Sequence, residues 1–130
     1  MREELTSGAV IFVGNPELVA AFYSELAGLA RVHSEPGLVV LQSDSTQLVI
    51  HALRIPERDP AQSSRPPEAR EDSYVKLYFS VPSLAGVRAR AADLGGGLGP
   101  IATEWIGRGF RACDGVDPEG NVVQFRERYS

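Results

Sequence analysis

The chain has 130 residues, 13 Lys and Arg against 17 Asp and Glu, and a formal net charge of −4. That length makes one compact domain, the acidic balance argues against a general nucleic-acid binder, and no stretch approaches the roughly 20 apolar residues of a membrane span. A single cysteine, Cys113, excludes an internal disulfide and a Cys-rich zinc site.

The opening Met1-Arg2-Glu3-Glu4 runs into strand-like sequence with no signal-type apolar region, so the expected setting is cytoplasmic. Residues 9–13 form a short β-rich run closed by Gly14-Asn15-Pro16, which reads as a strand. Asn15 suits a helix N-cap, Pro16 the first helical position and Glu17 the positive helix end. Leu18, Phe22, Leu26 and Leu29 make one apolar helix stripe, and Gly28 marks its end. Runs at about 30–34, 38–42 and 46–53 follow, separated by short turns, and predict an antiparallel meander.

Residues 56–72 hold four of the nine prolines and eight charged residues, with no large apolar side chain. Such a segment buries too little surface to offset its ordering entropy, so it reads as an exposed linker. The pattern then restarts. Residues 74–81 predict a strand, and Ser83 precedes a helix with Leu84, Val87, Ala91 and Leu94 on its buried stripe. Gly95-Gly96-Gly97 stops it, and three strands follow at about 98–105, 109–114 and 121–128.

Each half therefore reads strand, helix, three strands. At an offset of 68 residues Val13 falls on Val81, Val19 on Val87, Leu26 on Leu94 and Gly28 on Gly96. The shared order of elements points to an internal duplication. The expected fold is α+β: a single domain over 1–130, with one βαβββ module at about 5–55 and a second at 73–130. A helix covers one face of each sheet, and the bare faces enclose a shared cavity, the default ligand site.

Phe22-Tyr23 followed by Leu26-Ala27-Gly28, and Asp117-Pro118-Glu119-Gly120-Asn121 before the last strand, carry a resemblance to the vicinal oxygen chelate superfamily. That superfamily contains glyoxalases, bleomycin-resistance proteins and extradiol-type dioxygenases. The resemblance spans nearly the whole chain. It implies two βαβββ modules with sheets curled around one cavity, and a homodimer as the partner state. It also implies where a metal would be held in the metal-dependent members: on the first, fourth, fifth and last strands. Those positions fall on Gly8, Val49, Lys76 and Gln124.

Glycine and valine offer no ligand atom, and a protonated lysine repels a divalent ion, so no metal and no cofactor is expected. Glu104, Asp114 and Glu127 are possible carboxylate helpers, but alternation turns Glu127 away from Gln124. His33 reads as an edge residue; His51 shares a face with Val49 and is a pocket candidate. Lys76 shares the face of Tyr74 and Tyr78, either as a cation orienting an anionic or carbonyl-bearing ligand or as a lysine paired with a structural carboxylate. Trp105, at a hairpin corner, is a flat wall for a planar ligand, hairpin packing or a dimer contact, and Arg126 shares the parity of Gln124. The expected ligand-binding set is thus Lys76, Gln124, His51, Tyr78, Tyr74, Trp105 and Arg126, around a small, partly aromatic molecule. A divalent-metal lyase, isomerase or dioxygenase, and a metal-independent enzyme using Lys76, stand as alternatives.

Overall fold

The computed structural model describes residues 7–53 and 68–129. The first module is β1 (Ser7–Val13), α1 (Pro16–Ala27), β2 (Ala30–Glu35), β3 (Leu38–Gln42) and β4 (Thr46–Ala52). The second is β5 (Leu77–Val81), α2 (Leu84–Ala91), β6 (Gly97–Leu98), β7 (Trp105–Ile106), β8 (Phe110–Val116) and β9 (Val122–Arg128). The strand order is β1-β4-β3-β2 in one sheet and β5-β9-β8-β6 in the other, with β7 also on β8. In both sheets the module's first strand runs parallel to its last, and the remaining pairs are antiparallel. Val13 and Val81, aligned at the offset of 68, close β1 and β5, and both are buried.

Local chemistry sets the helix ends. The Asn15 side chain accepts from the Leu18 N–H, Pro16 opens α1, and Gly28 closes it in the left-handed region at φ 71°. In α2 the Ser83 hydroxyl accepts from Gly86 N–H at 3.0 Å, and Glu127 on β9 accepts from Leu84 N–H at 2.7 Å. Two of the helix's unpaired first-turn donors are thereby satisfied. After a 3-10 turn at Ala92–Leu94 the chain stops at Gly95, φ 94°, one residue before the position equivalent to Gly28.

Two element boundaries differ from the sequence pattern. The expected strand at 98–105 is split into β6 and β7 by a 3-10 turn at Ile101–Thr103. Pro100 has no N–H to donate, so the ladder ends after Gly99 N–H reaches Asp114 C=O at 2.9 Å. The strand expected to begin at 74 begins at Leu77, because Ser73 Oγ bonds both the N–H and the C=O of Val75 and turns the chain locally.

Strand alternation sends Val39, Leu41, Leu48 and Ile50 under α1, and Val123 and Phe125 join the same buried cluster from the second sheet. Val19, Phe22, Tyr23 and Leu26 form the buried face of α1, whereas Leu18, expected on it, is half-exposed. The difference comes from Tyr23, whose burial rotates the packed stripe by one position. The Phe22 ring lies 6.3 Å from that of Phe125, and the Tyr23 ring 5.5 Å from that of Phe79. One helix of the first module thus packs on both sheets, and the halves share a core.

The turn at 117–121 fastens the modules. Asp117 Oδ1 accepts from Glu119 N–H at 2.9 Å and Asn121 N–H at 3.0 Å, and Oδ2 accepts from Asn121 Nδ2 and Tyr23 Oη, both at 2.9 Å. Glu119 accepts from Gly14 N–H at 2.8 Å and Asn15 N–H at 2.7 Å, at the entry to α1. Burial raises the Asp117 carboxyl above the usual carboxylate range, and these donors oppose the rise. Burial, together with the facing carboxylate, holds the Tyr23 phenol well above its ordinary value. Residues 54–67, which include most of the expected linker, lie outside the described residues. The described end of the expected linker is not bare: Arg70 N–H donates to Gly120 C=O at 2.8 Å and Arg70 Nε to Glu119 C=O at 2.9 Å. Among the described residues no helix is long and apolar enough to cross a membrane.

Candidate functional site

The site candidates lie on the sheet faces turned away from the helices. In the first sheet Gly8, Val10 and Phe12 pair with Gln47, Val49 and His51 on that face. In the second, Tyr78 and Ser80 of β5, Gln124 and Arg126 of β9, and Asp114 of β8 share it. A groove of about 590 Å³ opens between the modules, where 7–9 and 45–48 face Lys76–Ser80.

Lys76 and Tyr78 line this groove. Lys76 Nζ donates to Asp114 Oδ2 at 2.8 Å, the paired-lysine alternative of the sequence analysis. Gln124 is buried; its Nε2 donates to Asp114 Oδ1 at 3.2 Å and its Oε1 accepts from Arg126 Nε at 2.7 Å. The Arg126 guanidinium carbon sits 3.6 Å from the Tyr78 ring centroid and 4.2 Å from that of Phe110. Four of the seven expected residues therefore form one connected row, Lys76–Asp114–Gln124–Arg126–Tyr78. Trp105 joins its end, packing edge-on against Phe110 with the ring centroids 5.6 Å apart.

His51 and Tyr74 stand apart. His51 is on the open face of the first sheet, but four residues, about 13 Å, beyond Gln47. Its Nδ1 lies 2.7 Å from Ala52 C=O, and its ring tilts against Phe12. Tyr74 is fully exposed, because strand alternation governs it only if β5 extends that far, and β5 starts at Leu77. Asp114, Ser80, Phe110 and Arg128 were not among the expected ligand-binding residues. Register carries the signal for Asp114, which pairs directly with Gln124. For Phe110 the signal is the Gly107-Arg108-Gly109 run before it: Gly109 has φ 79°, and a Cβ on Gly107 would collide with the Phe110 ring.

The four positions at which the resemblance places metal ligands do not fit a divalent ion. Gly8 and Val49 carry no donor, Lys76 is a cation, and the Gln124 carbonyl already accepts from a guanidinium. Among the described residues no group of three or more His, Cys, Asp or Glu side chains gathers elsewhere. The carboxylates are committed: Glu104 to Arg88 at 2.7 Å and Arg111 at 3.7 Å, Asp114 to Lys76, and Glu127 to the start of α2. His33 lies 3.6 Å from Glu35 at the exposed edge strand.

Comparison with known proteins places this architecture. No protein-family model and no curated protein sequence matches the chain. Among solved structures it is similar to a glyoxalase/bleomycin resistance protein/dioxygenase family enzyme from Burkholderia phytofirmans, at 19% identity and a TM-score of 0.70 over 95% of this chain and 98% of that one. It is similar to a glyoxalase/bleomycin resistance protein from Albidiferax ferrireducens at 17% identity and a TM-score of 0.67, over 95% and 98% of the two chains. A third similar structure is a mutant of the genomically encoded fosfomycin resistance protein of Listeria monocytogenes, complexed with Mn(II) and 1S,2S-dihydroxypropylphosphonic acid. It shares 13% identity over 96% of this chain and 90% of that one, with a TM-score of 0.62. The chain therefore has the glyoxalase/bleomycin-resistance fold, with two sheets that are curled but not closed.

Proposed function

We propose that this protein binds a small, partly aromatic molecule in the groove between its two modules, without a metal ion. The observation that supports this most is the row Lys76–Asp114–Gln124–Arg126. A carboxylate and an amide that could otherwise face an ion are bonded to an ammonium and a guanidinium, at 2.8 Å and 2.7 Å. Lys76 takes up the Asp114 carboxylate, and the remaining positive charge of Arg126 raises the electrostatic cost of a divalent ion there. What remains is a concave, partly apolar groove with Tyr78 on one wall and Lys76 at its rim, of a volume ordinary for small-molecule sites.

A homodimer belongs to the same reading. Val10 and Phe12 stand 55% and 57% exposed on the first sheet's open face, and Trp105 and Ile106 46% and 51% on the second module. A second copy laid over these faces would cover them and deepen the groove.

The test is a titration of the isotope-labelled protein with aromatic small molecules, followed by amide chemical shifts. Shifts clustered at Gly8, Lys76, Tyr78 and their strand neighbours, unchanged by a chelator, are expected. Ligand shifts that vanish on chelation and return with added metal would overturn the metal-free reading.

A further inference from the structure

Beside the groove, and sharing Tyr78 and Ser80 with it, lies a second cavity of about 530 Å³ whose lining also includes Phe110, Arg126 and Arg128. Among the described residues no carboxylate lines it. Among the described residues neither Arg126 nor Arg128 has an ion-pair partner, whereas Lys76, Arg31, Arg88, Arg90 and Arg111 each have one; Arg70 and Arg108 also have none, but they do not line this cavity. In a chain of net charge −4 this is a local concentration of unneutralised positive charge.

The Arg126 guanidinium is also fixed. β9 lies between β5 and β8, and Tyr78 and Phe110 reach it from those two flanking strands. Gln124 Oε1 holds Nε at 2.7 Å, and Gly107 and Trp105 hold the Phe110 ring. With two rings close to its central carbon and Nε occupied, the terminal N–H groups have no partner among the described residues and remain for a ligand. A planar two-oxygen anion fits that arrangement, and little side-chain freedom is left to lose on binding.

We infer that Arg126, backed by Arg128 and the Ser80 hydroxyl, is a carboxylate-binding subsite, so that the ligand is an aromatic organic acid. Its ring system lies along Tyr78 in the groove and its carboxylate meets Arg126. Lys76 is not the anion's partner, because Asp114 already neutralises it. The inference rests on the proposed function only for the placement of the ring system.

The experiment compares naphthoate with its uncharged isostere naphthamide by calorimetry on the full chain. Naphthoate is expected to bind at least about tenfold more tightly, the size of a charge-assisted hydrogen-bond pair. Arg126→Gln should bring that ratio to about one, the loss falling on naphthoate. Arg126→Lys keeps the charge and loses the planar fork. It should lower the ratio severalfold, and it carries the comparison if the Gln variant does not fold. Equal affinity of acid and amide in the parent protein, or a ratio that survives both variants, overturns the carboxylate subsite while the groove reading stands on the amide. Binding of neither compound overturns both.

Discussion

At Tyr23 one hydroxyl joins α1 to the turn ahead of β9 by donating to the buried Asp117 carboxylate at 2.9 Å. Tyr23→Phe keeps the ring and leaves a buried carboxylate short of a donor, so it is expected to cost about 1–3 kcal/mol at pH 7 in urea unfolding. The sign of the pH dependence follows from the raised phenol. Folded Tyr23 keeps its proton where the unfolded residue, ionising near pH 10, begins to lose it, so parent stability falls as pH rises above about 10. Tyr23→Phe has no such group, and the gap between the two proteins should narrow in that range; a constant gap would contradict the burial argument. The bonds of the Asp-Pro-Glu-Gly-Asn run are local, Asp117 accepting from Glu119 and Asn121, so they follow from its own residues. The part played by Tyr23 does not, since its partner lies 94 residues away and nothing in the spacing joins them. The placement of Tyr74 was not legible for a related reason: parity can be counted along a strand, but where the strand begins depends on the Ser73 turn.

Among the elements, α2 shows how a short helix is held. Eight residues are too few to be stable alone, so its caps and its buried face carry it. Ser83→Ala removes the Gly86 acceptor and is expected to lower stability by about 1 kcal/mol, read as a shift in the urea midpoint at unchanged slope. No shift would mean that the Glu127 contact to Leu84 alone fixes the helix start. The β7–β8 hairpin offers a sharper test of local geometry. Gly107→Ala pushes a Cβ into the Phe110 ring, so it should disturb the Arg126 contact and lower the melting temperature by several degrees. An unchanged protein would show that the ring moves freely. Helix ends and most strands were readable because Asn15, Pro16, Gly28 and Ser83 act on their own neighbours. The split between β6 and β7 was not, because the strand-like composition of 98–105 hides the consequence of a single missing N–H at Pro100.

At the scale of the whole molecule, the two modules use the same strand order and share a core through Phe22, Phe125, Tyr23 and Phe79. The offset of 68 and the matching order of elements carried that much. The pairing of Lys76 with Asp114 and of Gln124 with Arg126 needed the register of β8 against β9, which sequence spacing alone does not fix. The exposed apolar residues on the open faces lead to a further expectation: a sedimentation mass of twice 14.0 kDa at micromolar concentration, with 14.0 kDa contradicting the dimer. On the proposed reading, this sheet face holds an ion-paired lysine and a fixed arginine where a divalent ion would have to sit. Titration of the labelled protein with Mn(II), followed by paramagnetic broadening of amide signals, tests it most directly. No saturable broadening centred on Gly8, Val49, Lys76 and Gln124 is expected. Stoichiometric loss of those signals, restored by a chelator, would contradict it.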